Sequence, residues 1–171
     1  MSIREKKLNI ELVPSPFGLR LKGVISSLLS WNGSKGVIGM NDWRMYTDAS
    51  GQEVESVGWA RVLKEIAQLN GTTHTLVHAA YGEHVDLVVA GGNNGKVLVQ
   101  WKEHEPVEKH FVLASAQPDG VMCNLNIEGA EVAFPFAWCI SLEQAVPICG
   151  DTLRTCEMAQ YPGLTWVAVE M

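Results

Sequence analysis

The most regular pattern of apolar and polar positions runs from His84 to Trp101, HVDLVVAGGNNGKVLVQW. Val85, Leu87 and Val89 alternate on one side, and Val97, Val99 and Trp101 alternate in the answering run. Between them, AGGNNG (residues 90–95) supplies the glycine and asparagine that accept the positive φ angles of a tight reversal. This pattern predicts a β-hairpin. Upstream, Trp59, Val62, Leu63, Ile66 and Leu69 recur at helical spacing and predict a helix over about residues 56–70. Ser56 stands where an N-cap belongs, Asn70-Gly71 can end the helix in a left-handed turn, and Arg61, Lys64, Glu65 and Gln68 fill the outer face. TTHTLVHAAYGEH then reads as a strand ending near Gly82, able to pair with the His84–Ala90 strand.

Towards the N-terminus, Leu8, Ile10 and Leu12 alternate as a strand that VPSPFG breaks. Residues 19–31 fit both periods, and a strand passing into a short helical turn before Asn32-Gly33 is expected. Val37-Ile38 is a further short strand. MNDWRMYTDASG (residues 40–51) has no clear period and reads as an exposed or half-exposed loop. Its Trp43 and Tyr46 either mark a partner surface or fold back onto the core. Towards the C-terminus, strands are predicted at 111–114 and 122–127, followed by the extended AEVAFPFAW, which Pro135 restricts to an edge. Ser141 with Gln144 forms a capping-box pattern. It opens a helix with an apolar stripe of Leu142, Ala145, Val146, Cys149, Leu153 and Cys156, which Pro147 and Gly150 should kink or break. PGLTWVAVE closes with a turn and a strand. Together these elements predict one α+β domain over residues 1–171, a mainly antiparallel β-sheet with two principal helices packed on it.

Composition narrows the class. An apolar fraction of 47% excludes a mostly disordered chain. No apolar run approaches the ~18 residues of a membrane span, and the charged start lacks the apolar block of a signal peptide, so a cytoplasmic protein is expected. The four cysteines form no CxxC and read as free, buried thiols of a reducing compartment. The net charge of −6 is uneven: residues 1–44 hold seven basic and three acidic residues, and residues 45–171 hold six basic and sixteen acidic. Such an acidic body repels nucleic acid and attracts basic partners, or simply keeps the protein soluble.

No catalytic motif stands out. AGGNNGK lacks the spacing of a phosphate loop and precedes a strand. No two carboxylates are tied to a substrate-shaped site. His78 can lie across from His84 or Asp86 on adjacent strands, a possible transition-metal set or simply solvated sheet residues. Nothing in the spacing supports His110 with Cys123 as a base and nucleophile. Six tryptophans are present. Trp59, Trp101 and Trp166 sit where periodicity predicts core, and Trp31 and Trp43 lie in less regular sequence.

The order of elements around DLVVAGGNNGKVLVQW, EVAFPFAW, ISLEQAV and PGLTWVAVE is similar to the first-numbered family of immunity proteins of bacterial polymorphic-toxin systems. The resemblance covers about residues 55–169 and is carried by Trp101, Ser141-Leu142-Glu143 and Trp166 with that order; residues 1–54 lie outside it. It implies a non-enzymatic inhibitor without cofactor or metal, which binds a cognate toxin in the producing cell's cytoplasm and neither nucleic acid nor a membrane. Toxins paired with this family are often deaminase-like, and nucleases also occur. An acidic protein can fill the basic cleft of such a toxin, and blocking needs only area, charge and a few anchors. The expected contacts are Trp43, Tyr46 and Asp48 in the 40–51 loop and Glu103, Glu105 and Glu108 after the hairpin; the three glutamates also suit a solvated link. Two rivals stand beside this reading: a small metal-dependent enzyme using His78, His84 and Asp86, and a secretion chaperone or adaptor. The pattern does not reveal the oligomeric state.

Overall fold

A computed structural model describes residues 42–118 and 120–170. The strand expected at Leu8–Leu12, the ambiguous stretch 19–31, Val37-Ile38 and Trp31 lie outside the described residues.

The described residues form an α+β fold. Strands β1 (Trp43–Thr47), β2 (Gln52–Val57), β3 (Leu76–Tyr81), β4 (Val85–Gly91), β5 (Lys96–Glu103), β6 (Lys109–Ser115) and β10 (Leu164–Val169) make an antiparallel sheet in the order β10-β6-β5-β4-β3-β1-β2, with the short β9 (Ile140–Ser141) also on β5. Strands β7 (Met122–Ile127) and β8 (Ala130–Pro135) form a separate hairpin. Its turn, Glu128-Gly129, has positive φ at both residues, as a two-residue loop matched to strand twist requires. Helices α1 (Trp59–Ala67) and α2 (Leu142–Thr155) pack against each other and on one face of the sheet. No helix among the described residues is long and apolar enough to cross a membrane.

The central hairpin is as expected. Leu87 pairs with Trp101, Val89 with Val99 and Gly91 with Val97, so one apolar row from each strand meets the helices. Val62, Ile66, Ala145, Ile148, Cys149 and Leu153 descend from the helices onto that row. The opposite face is also buried along the central strands, at Leu76, His78, Val88, Ala90 and Leu98. Trp101, almost wholly buried, removes enough apolar surface to contribute about 3 kcal/mol.

Three local expectations are overturned. Residues 43–47 are not a loop: they form β1 with alternating burial, locked between β2 and β3, because neighbouring strands supply the ladder that a weak local period does not reveal. Ser56 does not cap α1. It lies in β2 with φ of 55°, and the helix starts after Gly58, without a side-chain cap, and stops at Ala67. Pro147 and Gly150 do not break α2. Ser141 Oγ accepts the Gln144 N–H at 3.1 Å to fix the first turn, and the helix continues through both residues. Pro147 is exposed, and Gly150 lets α2 pack closely on Leu63 of α1, since a Cβ there would lie 3.0 Å from Leu63 Cδ2. All four cysteines are free. Burial alone pushes the Cys149 thiol up to about 12.

The end of the sheet that carries the β4–β5 turn is tied by amides. Gly71, just after α1, has φ of 73° and approaches so closely that a Cβ would lie 2.2 Å from Asn93 N. Asn70 Oδ1 accepts the backbone N–H groups of Thr72, Thr73 and His74. Asn93 turns its carboxamide onto β7, donating to Asn124 O and accepting from Asn126 N, each at 2.9 Å, as a strand residue would. Asn126 in turn donates to Gly71 O at 3.2 Å.

Candidate functional site

At the other end of the same strands, the β3–β4 turn (Gly82–His84) and the β5–β6 link (residues 104–108) lie side by side, joined by His104 N–H donating to His84 O at 2.9 Å. Four of the five histidines gather there, each facing a carboxylate. His78 and His104 flank Asp86, His84 faces Glu105, and His110 faces Glu108. Register explains the arrangement. Asp86 pairs with Ala80 on β3 and with Lys102 on β5, so His78 on β3 and His104, one residue past the end of β5, are its diagonal neighbours. His104 Nε2 is 3.0 Å from Asp86 Oδ2. His78 Nε2 stands 3.5 Å from the same oxygen and has no hydrogen-bond partner among the described residues, although His78 is only 4% exposed. Burial opposes the Asp86 charge, but the hydrogen bond with His104 and the closeness of His78 outweigh it and hold the carboxyl well below the usual carboxylate range.

The metal set expected from sequence is therefore only partly assembled. His78 and Asp86 meet, but His84 is on the exposed turn against Glu105 at 3.7 Å, and His104 takes the position beside Asp86. Among the described residues no group of three or more His, Cys, Asp or Glu side chains could hold a metal ion. His104 was missed because the charged link shows no period. Extending the hairpin register three steps past Trp101 would have found it, since the Leu87↔Trp101 pairing sets His104 across from His84.

The three glutamates expected as contacts share this end of the sheet but differ in their surroundings. Glu103 accepts the Trp101 indole N–H at 3.3 Å, which ties it to the helix side of the sheet. Glu105 is the most open, its side chain 70% exposed. Glu108 lies between His110 Nε2 at 2.7 Å and Lys102 Nζ at 3.1 Å, and those partners, His110 foremost, hold its carboxyl below the usual range. Residues 83–86 and 102–110 together hold five carboxylates (Glu83, Asp86, Glu103, Glu105, Glu108) and two lysines (Lys102, Lys109), a net of −3 with histidine neutral.

The other expected contacts lie elsewhere. Trp43 is 3% exposed, its ring edge-on to Tyr81 in the core, and so presents no surface; this corrects the loop reading. Asp48 sits at the amide-tied end. Its carboxylate accepts the N–H groups of Thr75 and Leu76 at 2.9–3.0 Å and the Thr75 hydroxyl, and so fixes the start of β3. Thr75 Oγ1 also accepts the Glu128 N–H at 2.8 Å. Tyr46 is half-buried and donates its hydroxyl to Glu128 Oε1 at 3.4 Å. Of the six residues, the structure brings Glu103, Glu105 and Glu108 to one end of the sheet and holds Tyr46 and Asp48 apart from them.

No protein-family model matches the chain, and no curated protein matches it in sequence.

Proposed function

We propose that this protein is an immunity protein, which neutralises a cognate bacterial toxin, deaminase-like or nuclease, by covering its active site in the cytoplasm of the producing cell. The observation that carries this reading is the charged end of the sheet. Glu83, Glu105 and Glu108 stand on the turn and link that join deeply buried strands, with Asp86, Glu103, Lys102 and Lys109 on the adjoining strand ends, so this end is acidic and its backbone is anchored in the sheet. A toxin that grips nucleic acid or nucleotides needs a basic cleft, and an acidic surface held in place fills that cleft without ordering a loop on binding. Glu105 and Glu108 supply exposed charge, with His84 facing Glu105 and with Lys102 and His110 paired to Glu108. No nucleophile or cofactor takes part in such a block.

The test is co-expression with the C-terminal domain of the protein encoded immediately upstream. This chain restores growth if the reading holds, and continued growth arrest, or the absence of any toxic domain there, refutes it. Rescue also separates an inhibitor from a chaperone or adaptor, which binds without neutralising. The contact surface is tested by Glu103→Lys, Glu105→Lys and Glu108→Lys combined. Reversing three charges weakens toxin binding by at least roughly a hundredfold at low salt and flattens its salt dependence; an unchanged affinity removes this end from consideration.

A further inference from the structure

Among the described residues the large sheet has two edges, β2 and β10, and they differ in chemistry. β2, QEVESV, carries Glu53 and Glu55, its pairing with β1 slips between Trp43 and Met45, and Ser56 takes a left-handed φ. Charge and irregular register are what keep an edge strand from recruiting another chain. β10, LTWVAV, has neither. It contains no charged residue, proline or glycine, and it runs in unbroken register with β6 from Leu164↔Ser115 to Val169↔His110. Thr165 and Ala168 are exposed, and Val167 is 39% exposed, one of the few large apolar side chains so open.

We propose that the outer edge of β10 pairs antiparallel with β10 of a second copy of this chain, forming a two-fold dimer with one sheet continuous across both copies. Self-pairing suits this strand and not β2. A two-fold axis centred on Val167 sets Val167 against its own copy and Thr165 against Val169, three β-branched residues on one face. On the other face it sets the large Trp166 against the small Ala168. The corresponding axis on β2, centred on Val54, would set Glu53 against Glu55. The isologous arrangement is also the commonest way for a soluble chain to self-associate. Because each copy carries a net charge of −6 while the strand itself is neutral, added salt strengthens the dimer by screening the repulsion between the two bodies. This inference is independent of the toxin reading.

Sedimentation equilibrium of the full chain tests it. The wild type forms a dimer that tightens with salt. Val167→Lys, which sets two like charges face to face, is monomeric at the same concentration, and Val167→Thr remains dimeric. A wild type that stays monomeric up to roughly 1 mM, where only negligible affinity remains, overturns the proposal. So does a Val167→Lys protein that still dimerises. Should Val167→Lys fail to fold, hydrogen exchange on the wild type decides. Amide protection within residues 164–169 rises with protein concentration if β10 is the interface and stays constant if it is not.

Discussion

At one end of β3, β4 and β5 the turns are joined by amides and glycines; at the other they carry histidines and carboxylates. The amide end is closed on itself. Asn70, Asn93, Asn126 and Asp48 direct their polar side-chain atoms at backbone groups of this chain, and Gly71 brings α1 against the β4–β5 turn at a distance no side chain allows. The ionic end is held by side chain to side chain pairs, and several of its groups are exposed. Backbone groups that leave water need fixed partners, so the first end contributes to stability. Exposed ion pairs add little to stability and remain available to a partner. The same strands thus carry backbone-directed ties at one end and ion pairs at the other, and the proposed function places its contacts at the second.

Four substitutions can break or sharpen this contrast. Gly71→Ala has the largest expected effect. It drives a Cβ into the Asn93 backbone and strains a left-handed residue, costing roughly 4 kcal/mol, read as a lower urea midpoint. Next is Asp48→Ala, which leaves the Thr75 and Leu76 N–H groups without their acceptor and costs roughly 3 kcal/mol; under the proposed function the toxin affinity of the folded fraction is unchanged. A loss of affinity instead would move the contact surface to this end.

Asp86→Asn comes third, and here pH matters. The folded carboxyl lies below its usual value, so its contribution is complete above about pH 4 and fades as the pH falls towards the folded value. The variant is therefore less stable by about 2 kcal/mol at pH 7, and the gap narrows on acidification below about pH 4. A gap that does not change with pH shows that the histidines do not act on Asp86. Smallest is Glu105→Gln, which shifts stability by less than about 0.5 kcal/mol and, under the proposed function, lowers affinity for the toxin. A large loss of stability would mean that the ionic end also holds the fold together.

Much of this architecture was legible where period and turn chemistry agree. The 84–101 hairpin, the β7–β8 turn, the Ser141 cap and β10 appear at the positions the sequence predicts. Strand β1 was not legible, because its ladder comes from β2 and β3, and five residues are too few for a period to show. Nor was the uninterrupted α2, since a proline's local penalty says nothing of the packing of Ile148, Cys149 and Leu153 that offsets it. At the charged end, the glutamates were visible as composition, but their partners were not. Those depend on strand register, which places His104 and not His84 at Asp86.

Cys149, enclosed between helices and sheet, has a further use. Alkylating reagents attack the thiolate, and burial keeps this sulfur both protonated and out of reach. It is consumed only when the helical layer lifts away, so the rate of its alkylation is a clock for that opening, built into the native sequence and readable by mass at the peptide that carries it.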